Sequence, residues 1–463
     1  MSELNDEFRD SISTIKEDGK RNWLFPKRPK GWYYNARTVV SIFYLIVFLV
    51  LPWIKVGGEP LFLINVIDRK FILFGKIFWP QDFFIFMVGM LTFIVFIVVF
   101  TVAFGRLFCG WVCPQTVFME MVFRRIEYWI EGDADRQRKL STSKWDANKI
   151  LRRGGKHLAF FVISFIIANY FLSYIIGMDQ VVVYVRDGLF AHWDVLIPLL
   201  IFTGIFFFVY SWFREQVCLI VCPYGRLQGV MLDKDSVVVA YDYVRGEPRK
   251  HFRKNEERKA GHCVDCLECV KVCPTGIDIR NGTQLECVNC TACIDACDAI
   301  MDRFEFPQGL IRYASENNIA KKEKMKFTKR MIAYTVVLSI LVGVLITLLV
   351  TRQDISANVL RVRGMLYQEQ PNGQISNLYN IKLLNKTRKE IPVTLKLEEG
   401  FKGTIKIIGN DLLVKKESVG DGIFFIYADQ NTLKQRKNTV HVGIYEGSKK
   451  LSDIKTTFFA PNN

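Results

Sequence analysis

The chain is short of histidine. Five occur in 463 residues, and none forms a matched pair across apolar stretches of the kind that holds a membrane haem. Cysteine stops at Cys297, so the C-terminal third cannot be pinned by disulfides. Charge is missing altogether from five runs, 38–54, 83–105, 158–177, 195–213 and 331–350. Each is long and apolar enough to cross a hydrocarbon core of about 30 Å, which excludes a wholly soluble fold. No cleavable leader is evident either. The first apolar run begins only after Arg37, behind a polar, basic arm, and reads as an uncleaved anchor.

Acidic residues are also scarce, 46 against 62 Lys and Arg, for a net charge of +16. Nucleic acid is the usual partner for such an excess, but the distribution points elsewhere. The arm to Arg37 carries eight Lys or Arg, 106–157 eleven and 214–330 twenty, whereas 55–82 carries four and 178–194 one. Lys and Arg collect on the cytoplasmic side of membrane proteins. Five spans with the N-terminus inside put the C-terminal domain outside, and no nucleic acid is needed. All twelve cysteines then fall in or beside cytoplasmic segments. A reducing compartment disfavours disulfides, so clustered thiols there point to metal or redox chemistry.

Residues 1–35 form a cytoplasmic basic arm whose Trp23, Trp32, Tyr33 and Tyr34 suit a membrane interface. Residues 36–235 hold four spans as two helix pairs, each ending in C-x3-C-P: "FCGWVCP" with Cys109 and Cys113, and "VCLIVCP" with Cys218 and Cys222. After Pro114, Phe118, Met121, Val122 and Ile126 recur at helical spacing and predict an interfacial helix. Residues 60–78 predict a hairpin lying on the membrane. Residues 236–310 are polar and cysteine-rich. Residues 311–352 join a basic linker, ending in "KKEKMKFTKR", to the fifth span. Residues 353–463 read as about seven short antiparallel strands in a sandwich.

The cysteine-rich part is the most specific. "CVDCLECVKVCP" supplies Cys263, Cys266, Cys269 and Cys273, and "CVNCTACIDAC" repeats the spacing with Cys287, Cys290, Cys293 and Cys297. Three thiolates at intervals of three residues can surround one corner of a cubane, while the fourth ligates the other cluster. This assigns Cys263, Cys266, Cys269 and Cys297 to one 4Fe–4S cluster, and Cys273, Cys287, Cys290 and Cys293 to a second. Structural zinc prefers C-x2-C pairs separated by a long loop, and fits this packing poorly. The expected fold is multidomain: an α-helical membrane bundle of five transmembrane helices, a cytoplasmic α+β ferredoxin-like domain for two 4Fe–4S clusters, and a C-terminal all-β immunoglobulin-like sandwich.

The membrane thiols are less specific. On a helix, C-x3-C puts two sulfurs on one face about one turn apart. If the helix pairs pack as pseudo-symmetric halves, four thiols converge on one site, and soft thiolates suit Cu(I), zinc or a further cluster. Buried cysteines are otherwise ordinary small apolar residues. Met119, Met121 and Met231 could add thioether ligands, although core packing is their commoner use. His262 reads as a surface residue beside the cluster segment, and His157 and His192 as interfacial residues.

Taken together, "GRLFCGWVCPQTVFMEMVFRRIEYWIEGD", "CLIVCPYGRLQGVMLDKDS" and "CVDCLECVKVCPTGIDIRNGTQLECVNCTACIDAC" resemble the CcoG family, also called FixG or RdxA, accessory proteins of bacterial cytochrome c oxidase. The resemblance covers nearly the whole chain. Single motifs are shared with other membrane ferredoxins; the order of the parts singles out this family. It implies a bacterial inner-membrane protein that reduces Cu(II) to Cu(I) for assembly of a cbb3-type oxidase. Low-potential clusters can reduce Cu(II), and thiolates prefer the product. On this reading Cys109, Cys113, Cys218 and Cys222 are the catalytic, copper-holding residues. An unknown cytosolic donor feeds the clusters, and Cu(I) passes to a copper chaperone or a copper-exporting pump, with oxidase assembly factors as further partners. Two other readings stand beside it: an electron relay to quinone or an exported partner, and a non-enzymatic assembly scaffold.

Overall fold

Helices form where charge is missing. The spans are Trp32–Trp53, Phe83–Phe104, Ala147–Ile176, Trp193–Phe213 and Lys329–Val350, each long and apolar enough to cross a membrane. The computed structural model describes residues 14–461 apart from 16–17, 19, 68–69, 80–81, 189, 253–259, 323–327, 354, 363, 365, 372, 399, 410–411, 431–432 and 434. Most of the basic arm before Asp18 and the middle of "KKEKMKFTKR" therefore lie outside the described residues.

The first and third spans begin well before their uncharged runs, at Trp32 and Ala147. The first takes Arg37 into its buried face, and the third carries buried Lys149 and Lys156. Each cation has partners that replace water, which is the condition for burying charge. Lys149 donates to the carbonyls of Ser141 at 3.2 Å and Ser143 at 2.6 Å. Lys156 pairs with Glu127 at 3.3 Å and Glu131 at 2.8 Å.

The chain divides into two units, Met1–Ile54 with Val88–Gly343, and Lys55–Met87 with Val344–Asn463. In the first, Phe48, Phe118, Met119, Phe123, Phe160, Ile167 and Tyr210 form an aromatic-rich core among the helices. The stretch after Pro114 belongs to that core and is not an interfacial helix. It opens into a π-helical turn, Val117–Phe123, before the α-helix Arg124–Ile130. The wider i→i+5 turn shifts the 3.6-residue register on which a surface stripe was expected, and Met119 and Phe123 are buried along with Phe118 and Met121. In the cluster domain, Val238–Tyr241 pairs antiparallel with Ile311–Ala314, which carries that domain past residue 310.

In the second unit, the segment after the first span is a three-stranded meander, Phe62–Asn65, Lys70–Leu73 and Lys76–Phe78. It spends its polar groups on the C-terminal domain. Asp82 pairs with Lys386 at 2.6 Å and Arg352 at 2.7 Å, and Arg388 donates to the Gly75 carbonyl. The sandwich has one sheet of Thr404–Ile408, Val419–Asp429, Gln374–Asn385 and Ile355–Arg361. The other holds Leu412–Val414, Ile391–Leu397, Lys437–Glu446 and Lys449–Phe459, and all pairings are antiparallel. Six of the seven expected runs form strands, whereas of "VLRVRGMLY" only Val359–Arg361 does, at the end of a strand that begins at Ile355; Gln368–Glu369 and Leu412–Val414 are additional short ones. Inward residues such as Tyr379, Phe424, Val442 and Phe458 are fully buried, as alternating burial requires.

Candidate iron–sulfur and thiol site

The two cysteine loops share one backbone design. Asp265 and Leu267 have φ of 52° and 59° in the first, and Asn289 and Thr291 have φ of 52° and 63° in the second. Left-handed residues thus occupy the positions just before and just after the middle cysteine of each C-x2-C-x2-C. Alternating right- and left-handed residues curl a chain into a concavity with its N–H groups turned inward, a shape that suits anions and iron–sulfur clusters. Leu267 and Thr291 pay a local strain for it, since side chains other than Gly, Asn and Asp rarely adopt that region. Short helices, Glu268–Lys271 and Ala292–Arg303, follow directly.

The eight thiols sort into two cavities. Cys263, Cys266, Cys269 and Cys297 line one, with Tyr241, Met301 and Leu310. Cys273, Cys287, Cys290 and Cys293 line the other, with Ile277, Ile279 and Val288. The fourth cysteine of each run therefore stands in the cavity of the other run, as two cross-ligated cubanes demand. Cys269 borders both cavities, so the two sites share a wall. Burial pushes the Cys269 and Cys287 thiols up to about 12, opposed by the Arg280 charge at the first and by the Asn289 backbone N–H at the second. Protonated apo thiols in apolar walls are what a cluster would deprotonate on binding. Charge-bearing support lies around them. Arg280 is clamped by Asp265 at 2.5 Å and Asp278 at 2.6 Å, and His262 accepts from Arg245 Nε at 2.8 Å while stacking on Phe306.

The membrane thiol pairs also repeat, but not as regular helix. Cys109 sits in Leu107–Trp111 and Cys218 in the π-turn Val217–Val221. Cys113 and Cys222 have left the helix, each extended and each preceding a proline that starts the next helix. In both copies the second cysteine's N–H reaches five residues back: Cys113 to Phe108 O at 3.0 Å, and Cys222 to Val217 O at 2.8 Å. The four thiols lie in one another's field. Burial pushes Cys218 up to about 12, reinforced by Cys113, Cys109 and Cys222. It pushes Cys109 to about 11, reinforced by Cys113 and Cys222 and opposed by Arg106 and by the Gln228 amide, which donates to its Sγ at 3.7 Å. Among the described residues no three His, Cys, Asp or Glu side chains are grouped closely enough to hold a single metal ion. Met119 and Met231 pack in hydrophobic clusters.

The quartet rests directly on the second cluster loop. Cys109 packs with Val272, Val288, Cys290 and Ala292. A Cβ on Gly110 would stand 2.5 Å from Asn289 O and 2.6 Å from Val288 O, so only glycine allows this approach. Arg37, 4% exposed, fastens the junction by donating to Gly110 O and Cys290 O, both at 2.9 Å. Asp295 accepts from the N–H groups of Tyr33 and Tyr34 at 3.0 and 2.8 Å, which ties the start of the first span to the cluster domain. Beyond the quartet, Arg124, Glu127, Glu131, Lys156, Arg214 and Glu215 form a buried ionic network. In the sequence these charges fall in segments assigned to the cytoplasmic side by their Lys and Arg content, and nothing there singled out Arg37 and Arg106. Their only signal was a lone cation at the edge of an apolar run.

A membrane bundle that seats a double cysteine domain of cubane spacing defines a membrane-anchored iron–sulfur electron-transfer protein. Comparison with known families agrees. Residues 213–316 match the 4Fe-4S dicluster domain, 86–141 the 4Fe-4S binding domain, and 345–461 the IG-like fold at the C-terminal of FixG. Protein RdxB of Cereibacter sphaeroides is 35% identical over 79% of this chain and 80% of its own length. Nitrogen fixation protein FixG of Rhizobium meliloti is 31% identical over 87% of this chain and 83% of its own. Protein RdxA of Cereibacter sphaeroides is 33% identical over 79% and 80%. The chain belongs to the FixG/CcoG family.

Proposed function

We propose that the protein passes single electrons from a cytosolic donor, through its two cysteine-lined cluster sites, to Cu(II) at Cys109, Cys113, Cys218 and Cys222, and that the resulting Cu(I) serves assembly of a cbb3-type cytochrome c oxidase. Bound clusters would supply the one-electron steps. One observation carries the reading: Cys109, the first of the four soft ligands, packs on the cluster of side chains that includes Cys290 of the second cluster site. Each Cu(II) takes up one electron and becomes Cu(I), the state thiolates prefer. Burial holds the Cys109 and Cys218 thiols protonated, so copper binding releases protons there and strengthens as pH rises. Cu(I) then departs by ligand exchange to a thiol-bearing chaperone or pump. The Lys and Arg distribution supports an inner-membrane orientation with clusters and quartet in the cytoplasm and the sandwich in the periplasm.

The test is anaerobic. Purified protein is reduced with limiting dithionite and freed of excess, and Cu(II) is added with a chromogenic Cu(I) chelator. Wild-type clusters should reoxidise in step with Cu(I) colour. In the variant with alanine at Cys109, Cys113, Cys218 and Cys222, clusters should assemble but stay reduced. Copper reduction at the wild-type rate in that variant would sink the assignment.

A further inference from the structure

Copper reduction leaves unused a cavity of about 220 Å³ beside the second cluster site. Arg106, Leu232, Val238, Leu285, Cys287 and Asn289 line it. Arg106 stands two residues past the second span and donates to the Gly225 carbonyl, on the helix that opens at Cys222. The cavity thus lies at the end of a membrane helix, with a cysteine of the second cluster site in its wall.

The lining selects a ligand class. Leu232, Val238 and Leu285 supply hydrocarbon walls. Two donors interrupt them. Arg106 is 5% exposed, and Asn289, 2% exposed, has its Oδ1 held by Val239 N–H at 3.3 Å while its Nδ2 has no hydrogen-bond partner. The unpartnered Asn289 Nδ2 calls for a carbonyl acceptor, and Arg106, which also donates to Gly225, stands beside it. Glu286 on the same lining opposes an anion. The volume falls below the roughly 300–1,000 Å³ of drug-sized pockets, enough for one ring and too little for a dinucleotide.

We propose that this cavity binds the head group of a quinone, through which a membrane carrier exchanges electrons with the cluster of Cys273, Cys287, Cys290 and Cys293. The inference goes beyond copper reduction and does not depend on it. Arg106 and Asn289 donate to ring carbonyl oxygen. Reduction of the quinone takes two electrons, one from each cluster, and two protons, which reach the ring from water past Glu286; oxidation of a quinol returns both.

The experiment uses the full chain with both clusters. Decylubiquinone is added to dithionite-reduced protein under argon, and cluster reoxidation is followed against quinone concentration. Separately, a photoreactive azidoquinone is crosslinked to the oxidised protein and the labelled peptide sequenced. The expected result is saturable reoxidation and a label in 283–289. Leu285→Trp, at a position 60% exposed, fills the cavity mouth. It should raise the half-saturating quinone concentration at least about ten-fold and suppress labelling, with cluster content and copper-driven reoxidation unchanged. Thr283 is on the same lining, and Thr283→Trp serves as an independent second block. Unsaturable reoxidation, labelling elsewhere, or wild-type saturation in both variants overturns the proposal. Loss of copper reduction with quinone saturation intact overturns the copper reading instead.

Discussion

Replacing Arg37 with methionine removes one buried cation at the junction of membrane and cluster domain while keeping the side chain's length. Burial pushes the Cys290 thiol up to about 11, and Arg37 is the strongest influence opposing it, so its charge is felt at that sulfur. Adding an electron to a cluster there adds negative charge, which a nearby cation favours. At about 6 Å and an effective dielectric constant of about 20 the interaction is worth roughly 3 kcal/mol. For a one-electron couple that is on the order of 100 mV. Arg37→Met should therefore lower the potential of the cluster at Cys290 by about that much, and that of the cluster at Cys263 far less. Arg37→Lys keeps the charge and should restore most of the shift. The assay is an EPR-monitored redox titration of anaerobic, detergent-purified protein. Equal shifts at both clusters, a rise, or a change under about 20 mV would refute the reasoning.

The cross-ligation predicts a reciprocal pattern. Cys297→Ala should cost the cluster otherwise held by Cys263, Cys266 and Cys269, and Cys273→Ala the other; iron content near half in each, with different surviving EPR signals, checks it. Glu127 gives a prediction with a pH sign. Burial alone would raise its carboxyl from 4.5, but Arg214, Lys156 and Arg124 hold it down to about 2. Its stabilisation is therefore complete above 4.5 and fades only as pH falls toward 2, so it contributes nothing to any change between pH 7 and 5. Glu127→Gln strands Arg214 in a buried site, while Lys156 keeps Glu131 at 2.8 Å; the expected loss is about 3–5 kcal/mol, read as faster heat inactivation at pH 7, and an unchanged rate would show that water reaches the network.

What was legible in the sequence was whatever depends on spacing along the chain. A run without charge must cross or bury, so five spans could be counted. Three cysteines at intervals of three can encircle only one centre, so both sets of cluster ligands could be written down, including the crossing pair Cys273 and Cys297. Strand alternation between Ile355 and Phe459 needed no more than a period of two.

Only the tertiary structure decided how these pieces meet. The π-helical turn Val117–Phe123 changes the residue period, and no composition announces it. Arg37, Lys156 and Glu127 look like surface charges until helices from distant parts of the chain replace their water with carbonyls and counter-charges. The left-handed residues at Asp265, Leu267, Asn289 and Thr291 are set by the loop they close, since nothing in leucine or threonine asks for that conformation. Gly110 could have been any small residue in a membrane helix; it is glycine because the backbone at Val288 and Asn289 lies within 3 Å of where a Cβ would be. Chemistry that one stretch of chain completes by itself is written in its local order. The junction of thiols and clusters needs groups separated by up to 262 residues, and their proximity is a property of packing alone.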